Sequence, residues 1–313
     1  MRFSIQFPFN NLYMVDKNHW RASATHEVKR EVAQLMDNFD YISVSDHVVM
    51  GYERAATMGS YWMDCIAAMS WLLGVTEKAS VYTSVMVPAY RHPIMLAKQL
   101  STMDDLSGGR VVLGAGVGHQ IKEFELFGVP YEKRGKLTDE LIAAMRILWS
   151  EEDPEFNGEF FQFDEIKFDP KPLKKSVPVW IGGDSKLALR RAARLGTGWV
   201  PWQIRPNQLP ECIDYIREQP GFEERMAKEE FDFEVILPTI FVHRESGTQR
   251  KLGETLAPRN IQEMIEFIAI NEEAGATITS LQPFGGENGE VSKQAYMDGL
   301  QELIEEVLPH FKG

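Results

Sequence analysis

Apolar positions in this chain follow two spacings in turn. Short runs such as Val177, Val179, Trp180 and Ile181 are almost continuously apolar, as strands buried on both faces are. Between them, apolar residues recur every three to four positions, the spacing of one helix face. The runs predict strands over 2–7, 41–45, 80–87, 111–113, 177–181, 233–242 and 277–281, with a further strand starting at 199. The helical spacing predicts helices over 25–39, 62–73 (closed by Gly74), 93–106, 137–149, 187–195, 259–273 and 293–307, with helical segments across 207–230. Gly51, Tyr52, Arg54 and Gly59 read as a loop. The alternation breaks only at 150–176, where Asn157-Gly158 is a hairpin turn signal flanked by Phe156, Phe160, Phe161 and Phe163. Eight strands each followed by helix is the count of an α/β (β/α)8 TIM barrel, here with a small hairpin inserted after the fourth βα unit. Pro238, inside the seventh strand, points to a bend or an edge-like end.

Chemistry in such a barrel sits at the C-terminal strand ends, and that rule filters the polar residues. Asp46 and His47 leave strand two, and Ser84, Val85 and Met86 leave strand three. The segment 114–119 (GAGVGH) leaves strand four, and 182–185 (GGDS) leaves strand five; Trp199 and Trp202 belong to strand six and Gln282 to strand eight. An imidazole at a barrel mouth beside a carboxylate can hydrogen-bond a cofactor or move a proton near neutral pH; it also fits a structural loop histidine. Gly182 and Gly183 lead into a helix that Asp184 or Ser185 can cap, and a helix N-terminus suits an anion. A tight turn alone would need the same glycines. GAGVGH fails the dinucleotide fingerprint, because its sixth position is His119, no helix is evident directly after it and no acidic ribose partner is clearly placed. Trp199, Trp202 and Phe284 could wall an apolar pocket or simply pack.

Composition narrows the classes. The 313 residues carry a formal net charge of −13 and are 44% hydrophobic. That favours a sizeable core and disfavours nucleic acid or an acidic membrane as partner. Two distant cysteines, Cys65 and Cys212, give no disulfide framework and fit a reducing cytoplasm. No apolar run reaches the roughly 18 residues of a membrane span, and MRFSIQFPF is no signal peptide. Seven histidines lack H-x-H and H-E-x-x-H pairing, so no metal site is expected. Serine hydrolysis lacks its G-x-S-x-G elbow.

An ordered set of segments then resembles one family. It runs VSDHV at 44–48, TSVMVPAYRHPIMLAKQLSTMDDLSGGRVVLGAGVGH at 83–119, FGVPYEKRG at 127–135, NGEFFQF at 157–163, PKP at 170–172, PVWIGG at 178–183 and ARLGTGWVPW at 193–202. This is similar to the bacterial luciferase-like oxidoreductases, most closely their deazaflavin (F420)-dependent branch, over about residues 1–205. The resemblance implies a single barrel domain over 1–313, a flavin or deazaflavin at the strand ends, a small-molecule substrate and a homodimer. It implies hydride transfer with F420, or an FMN-dependent monooxygenase using reduced flavin and O2, or a non-catalytic flavin-binding barrel. Asp46 and His47 match residues near the cofactor ring. Ser84-Val85 matches a non-prolyl cis peptide behind the ring, Val117 and Gly118 flank the ring, and Gly182 and Gly183 match the phosphate backbone. His47 and His119 are the catalytic candidates. His119 stands where the sugar-phosphate dehydrogenases of this branch carry a catalytic Glu, which argues against that substrate. Thr197 stands where relatives often have Asp, and could donate to a phosphate.

Overall fold

The computed structural model describes residues 1–12, 19–237, 251–252, 255–256, 258, 260–283 and 292–311. Eight parallel strands close into a barrel. They are β1 (Arg2–Gln6), β2 (Tyr41–Val44), β3 (Ser80–Thr83), β4 (Val111–Ala115), β5 (Val179–Gly182), β6 (Gly198–Val200), β7 (Glu234–Leu237) and β8 (Ile278–Leu281). Each pairs with its neighbours in sequence, and β8 closes on β1 with Ser4 opposite Ser280. The rest of the predicted seventh strand, Pro238 included, and Phe284 lie outside the described residues.

Successive strand residues point to opposite faces, so each strand feeds two cores. Phe3, Ile5, Ile42, Val81, Leu113, Val179, Ile181 and Trp199 face outward into one large cluster with the helices. Tyr82, Val112, Trp180, Val200, Ile236 and Ile278 fill the barrel interior. Trp180 packs edge-on against Tyr41 and Tyr82, with ring centroids 5.1 and 5.0 Å away. The Tyr82 hydroxyl, buried with them, donates to Ser4 Oγ at 3.2 Å. The barrel is therefore plugged below its mouth, as filled side-chain layers require.

The helices in chain order are α1 (His26–Met36), α2 (Tyr52–Met58), α3 (Cys65–Val75), α4 (Pro93–Ser107), α5 (Ile121–Leu126), α6 (Arg134–Ser150), α7 (Lys186–Leu195), α8 (Leu209–Arg217), α9 (Phe222–Met226), α10 (Ile261–Glu273) and α11 (Lys293–Glu302). Three depart from the pattern expected. Helix α3 starts later than 62 because the Asp64 carboxylate caps it, accepting from Ala67 N at 2.8 Å, and it runs through Gly74 rather than ending there. The expected loop at 51–59 holds α2, with Gly51 and Gly59 as its caps and no buried residue to give it an apolar period. Helix α5 does follow GAGVGH; six residues are too few for periodicity to show.

The insertion is a short antiparallel hairpin pairing Phe156 with Phe163 and Asn157 with Gln162. Its loop is held from below by Glu140 of α6, whose carboxylate accepts from the N–H groups of Glu159, Phe160 and Phe161 at 2.9, 2.7 and 2.7 Å. A Cβ on Gly158 would lie 2.2 Å from that carboxylate, which explains the Asn-Gly turn.

Candidate active site

The strand ends bring most of the expected residues to one mouth. Ser84 and Val85 are joined by a cis peptide, and both are half-buried while Thr83 and Met86 on either side are buried. Val85 is packed by glycines from two neighbouring strand ends. A Cβ on Gly116 would come within 2.6 Å of Val85 Cγ2, and one on Gly182 within 2.9 Å of Val85 Cγ1. A Cβ on Gly114 would lie 1.7 Å from the Thr83 carbonyl oxygen. Backbone bonds Met86 N to Gly114 O (2.8 Å) and Gly116 N to Met86 O (2.7 Å) stitch these ends together. The glycines are thus required by close approach. They let the ends of β3, β4 and β5 close on the Val85 side chain.

His47 follows β2, the strand that pairs with β3. Its Nδ1 lies 3.1 Å from Glu123 Oε2 in α5, and its ring meets the Trp62 ring edge-to-face at 4.6 Å. His119 is 6.0 Å away, ring centroid to centroid, at an interplanar angle of 84°. Its Nε2 is 3.0 Å from the Gln120 side-chain amide nitrogen. Partial burial, then the nearby His47 and Arg54, lower the pKa of His119, with Glu123 opposing. His119 is therefore biased toward the neutral ring near pH 7.

Asp46 is engaged on the other side of the chain. Its buried carboxylate accepts Arg91 Nη1 and Nη2 at 2.8 and 2.9 Å and Val87 N at 3.0 Å. Burial opposes the Arg91 charge, but hydrogen bonding and attraction to Asp46 win, so the Arg91 pKa is raised. Arg91 also reaches Val87 O and Cys65 Sγ. Burial, followed by Asp46, pushes the Cys65 thiol well up, which keeps it protonated and unreactive. Asp46 thereby ties the exit of β2 to the turn after β3.

Gly118 has φ +75°, and a Cβ there would touch Phe124 and Val87 at 2.9 Å; Val117 beside it is half-buried. Gly183 has φ +118°, its N–H donates to Val200 O at 3.1 Å, and its carbonyl accepts Trp199 Nε1 at 2.8 Å. Asp184 accepts from Trp202 N and Gln203 N at 2.6 and 2.8 Å. Ser185 is the cap of α7, taking Ala188 N. Thr197 is not at the mouth. It precedes β6, and its N–H and Oγ1 bond the backbone of Val179, the first residue of β5, so it lies at the opposite end of the barrel. Trp199 faces the outer core, so it does not wall the mouth; Trp202 follows β6 and is exposed.

Glu123, Trp62, Tyr90 and Arg91 were not singled out in the sequence. Glu123 was hidden among acids in IKEFEL, and only a buried position on a short apolar face distinguishes it from Glu125. Among the described residues no group of three or more His, Cys, Asp or Glu could hold a metal ion. No described helix is long and apolar enough to cross a membrane.

Fold and site place the chain in a class of barrel proteins with a histidine-bearing mouth and a post-β4 insertion. The profile of the luciferase-like monooxygenase family matches residues 1–281, and the chain belongs to that family. It is 30% identical over 198 residues to the F420-dependent glucose-6-phosphate dehydrogenase of Intrasporangium calvum, covering 58% of this chain and 56% of that one. It is 28% identical over 210 residues to the FMNH2-dependent dimethylsulfone monooxygenase of Pseudomonas putida, covering 65% and 56%. The matched region spans about half the length of the curated relatives. The fold also matches that of the monooxygenase RslO1 from Streptomyces bottropensis, with a TM-score of 0.78 and 20% identity over 99% of this chain and 100% of that one.

Proposed function

We propose that this protein is an F420-dependent oxidoreductase that passes a hydride between the deazaflavin and a small organic substrate. The observation that carries this is the pair of imidazoles, 6.0 Å apart, at the end of a barrel where glycines of β4 and β5 make room for Val85. When bound, the deazaflavin supplies the redox chemistry. The chain supplies the rest. Val85 backs the ring, and Val117 and Gly118 flank it. His47 and His119 donate, accept or relay a proton near the reacting atoms. With Gly183 N–H committed to Val200, the phosphate end falls to the first turn of α7, where backbone donors remain and the dipole is positive, with Gly182 and Gly183 as the adjoining turn.

Similarity to an F420-dependent dehydrogenase and to an FMNH2-dependent monooxygenase supports both cofactor classes. The deazaflavin is favoured by the segments quoted from 44 to 202. Titration of the purified protein with F420 and with FMN, followed by fluorescence, tests the proposal. Tight F420 binding without FMN binding is expected. FMN binding alone would replace it with the monooxygenase, and cofactor bound without turnover on any hydride acceptor or donor would leave a non-catalytic barrel. A homodimer in the cytoplasm fits the family and the two free thiols; light scattering checks the former.

A further inference from the structure

We propose that Glu123 is the positioning residue of His47. It holds the imidazole with its proton on Nδ1, so that Nε2 is the atom presented to cofactor or substrate. This rests on the site proposed above.

The side chain of Glu123 is 2% exposed and that of His47 12%. The two carboxylate oxygens of Glu123 are differently engaged. Oε1 accepts from two backbone donors, Val48 N at 2.9 Å and Val49 N at 3.3 Å. Oε2 faces His47 Nδ1 at 3.1 Å and the Tyr90 hydroxyl at 3.4 Å. Burial and then Glu123 raise the Tyr90 pKa, so the phenol is a donor here. An ionised carboxylate only accepts. Nδ1 of His47 must therefore carry the proton, and no hydrogen-bond partner of Nε2 is found among the described residues. Trp62 and His119 fix the ring plane from two sides. The arrangement is that of an imidazole aimed by a carboxylate behind it, contributed by a helix 76 positions further along the chain.

The asymmetry makes Glu123→Gln informative. Oε1 meets two N–H donors, so the amide must keep its carbonyl oxygen there. The NH2 group then replaces Oε2 and donates to Nδ1, which forces the ring proton onto Nε2. Nitrogen–proton correlation spectra of 15N-histidine-labelled protein, recorded where the ring is neutral, read this directly; His47→Gln assigns the signal. In the wild type, His47 should show a protonated Nδ1 and a bare Nε2. In Glu123→Gln the two should exchange, and in Tyr90→Phe they should not. Adding F420, or FMN, should shift the Nε2 resonance of the wild type far more than Nδ1. A bare Nδ1 in the wild type overturns the assignment even if Glu123→Gln fails to fold, as does an unchanged tautomer in a folded Glu123→Gln. The expected tautomer with no response to either cofactor leaves the tie between Glu123 and His47 standing and removes the function proposed for the mouth.

Discussion

Asp46→Ala tests whether Asp46 is a clamp or a cofactor ligand. Its side chain is 1% exposed and that of Arg91 14%. The substitution leaves a buried guanidinium with only Val87 O and the Cys65 sulfur among its named partners, and strands the Val87 N–H. Removing one partner of a buried pair costs about 3–5 kcal/mol, and a buried donor without an acceptor about 1–3 kcal/mol in its own right. The two overlap in one small volume, so about 4–6 kcal/mol is expected. Arg91→Ala leaves Asp46 with the Val87 N–H and should cost about 3–5 kcal/mol. At about 2.1 cal/mol/K per residue, 313 residues unfold with an entropy near 0.66 kcal/mol/K, so each variant should melt about 5–9 °C below the wild type. The double variant should cost less than the sum by at least about 1–2 kcal/mol, since neither charge is then left alone. Thermal melts give the stabilities, and F420 titration gives the second readout. A clamp lowers affinity similarly in both single variants, through the displaced turn after β3. Melts within 1 °C of the wild type, with F420 affinity lost only in Asp46→Ala, would refute the clamp and make Asp46 a direct ligand.

Other outcomes follow from the same geometry. Because the pKa of His119 is lowered in the fold, the unfolded chain binds the extra proton more readily. Its contribution to stability is present above the ordinary histidine range and lost as pH falls below it, so His119→Gln should flatten the decline in melting temperature between about pH 7 and 5. Glu140→Ala should cost about 1.5–3 kcal/mol through its charged hydrogen bonds, and should speed amide exchange at Glu159, Phe160 and Phe161 before it affects the barrel. Gly116→Ala puts a methyl 2.6 Å from Val85 Cγ2, at a cost of about 1–3 kcal/mol; melts should show most of that vanish in a Val85→Ala background. His47→Ala should lower hydride-transfer turnover by about 10²–10⁴-fold while changing F420 affinity by less than about tenfold; unchanged turnover removes its proton role.

The barrel was legible because its information is periodic. Each strand needed only a few apolar residues in a row, and each long helix a repeating face. What periodicity could not reach was short or polar. Helix α2 buries nothing, and α5 is six residues long. The start of α3 depends on a single cap, Asp64. The positions of 46–47, 84–85 and 114–119 at the C-terminal strand ends were legible from the strand pattern together with the family pattern. Thr197 was misplaced for a topological reason. It stands before its strand rather than after it, so the barrel puts it at the far end from the chemistry.

The Asp46-His47 pair shows why adjacency in sequence does not say which carboxylate meets an imidazole. Side chains alternate as the chain leaves β2. Val44 faces the outer core, and Ser45 turns the other way to accept Gln6 Nε2 at 3.1 Å. Asp46 then falls on the outer side, against Arg91 and Cys65, and His47 on the side of the mouth. Neighbours on an extended chain cannot share a face, so the acid next to an imidazole in sequence is the one least able to serve it. The carboxylate that meets His47 comes from another element. That element is α5, which follows the turn at Gly118, where a Cβ would come within 2.9 Å of Phe124 and Val87. The glycine-rich exit of β4 thus acts twice: it makes room for Val85, and it leads into the helix that carries Glu123 to His47.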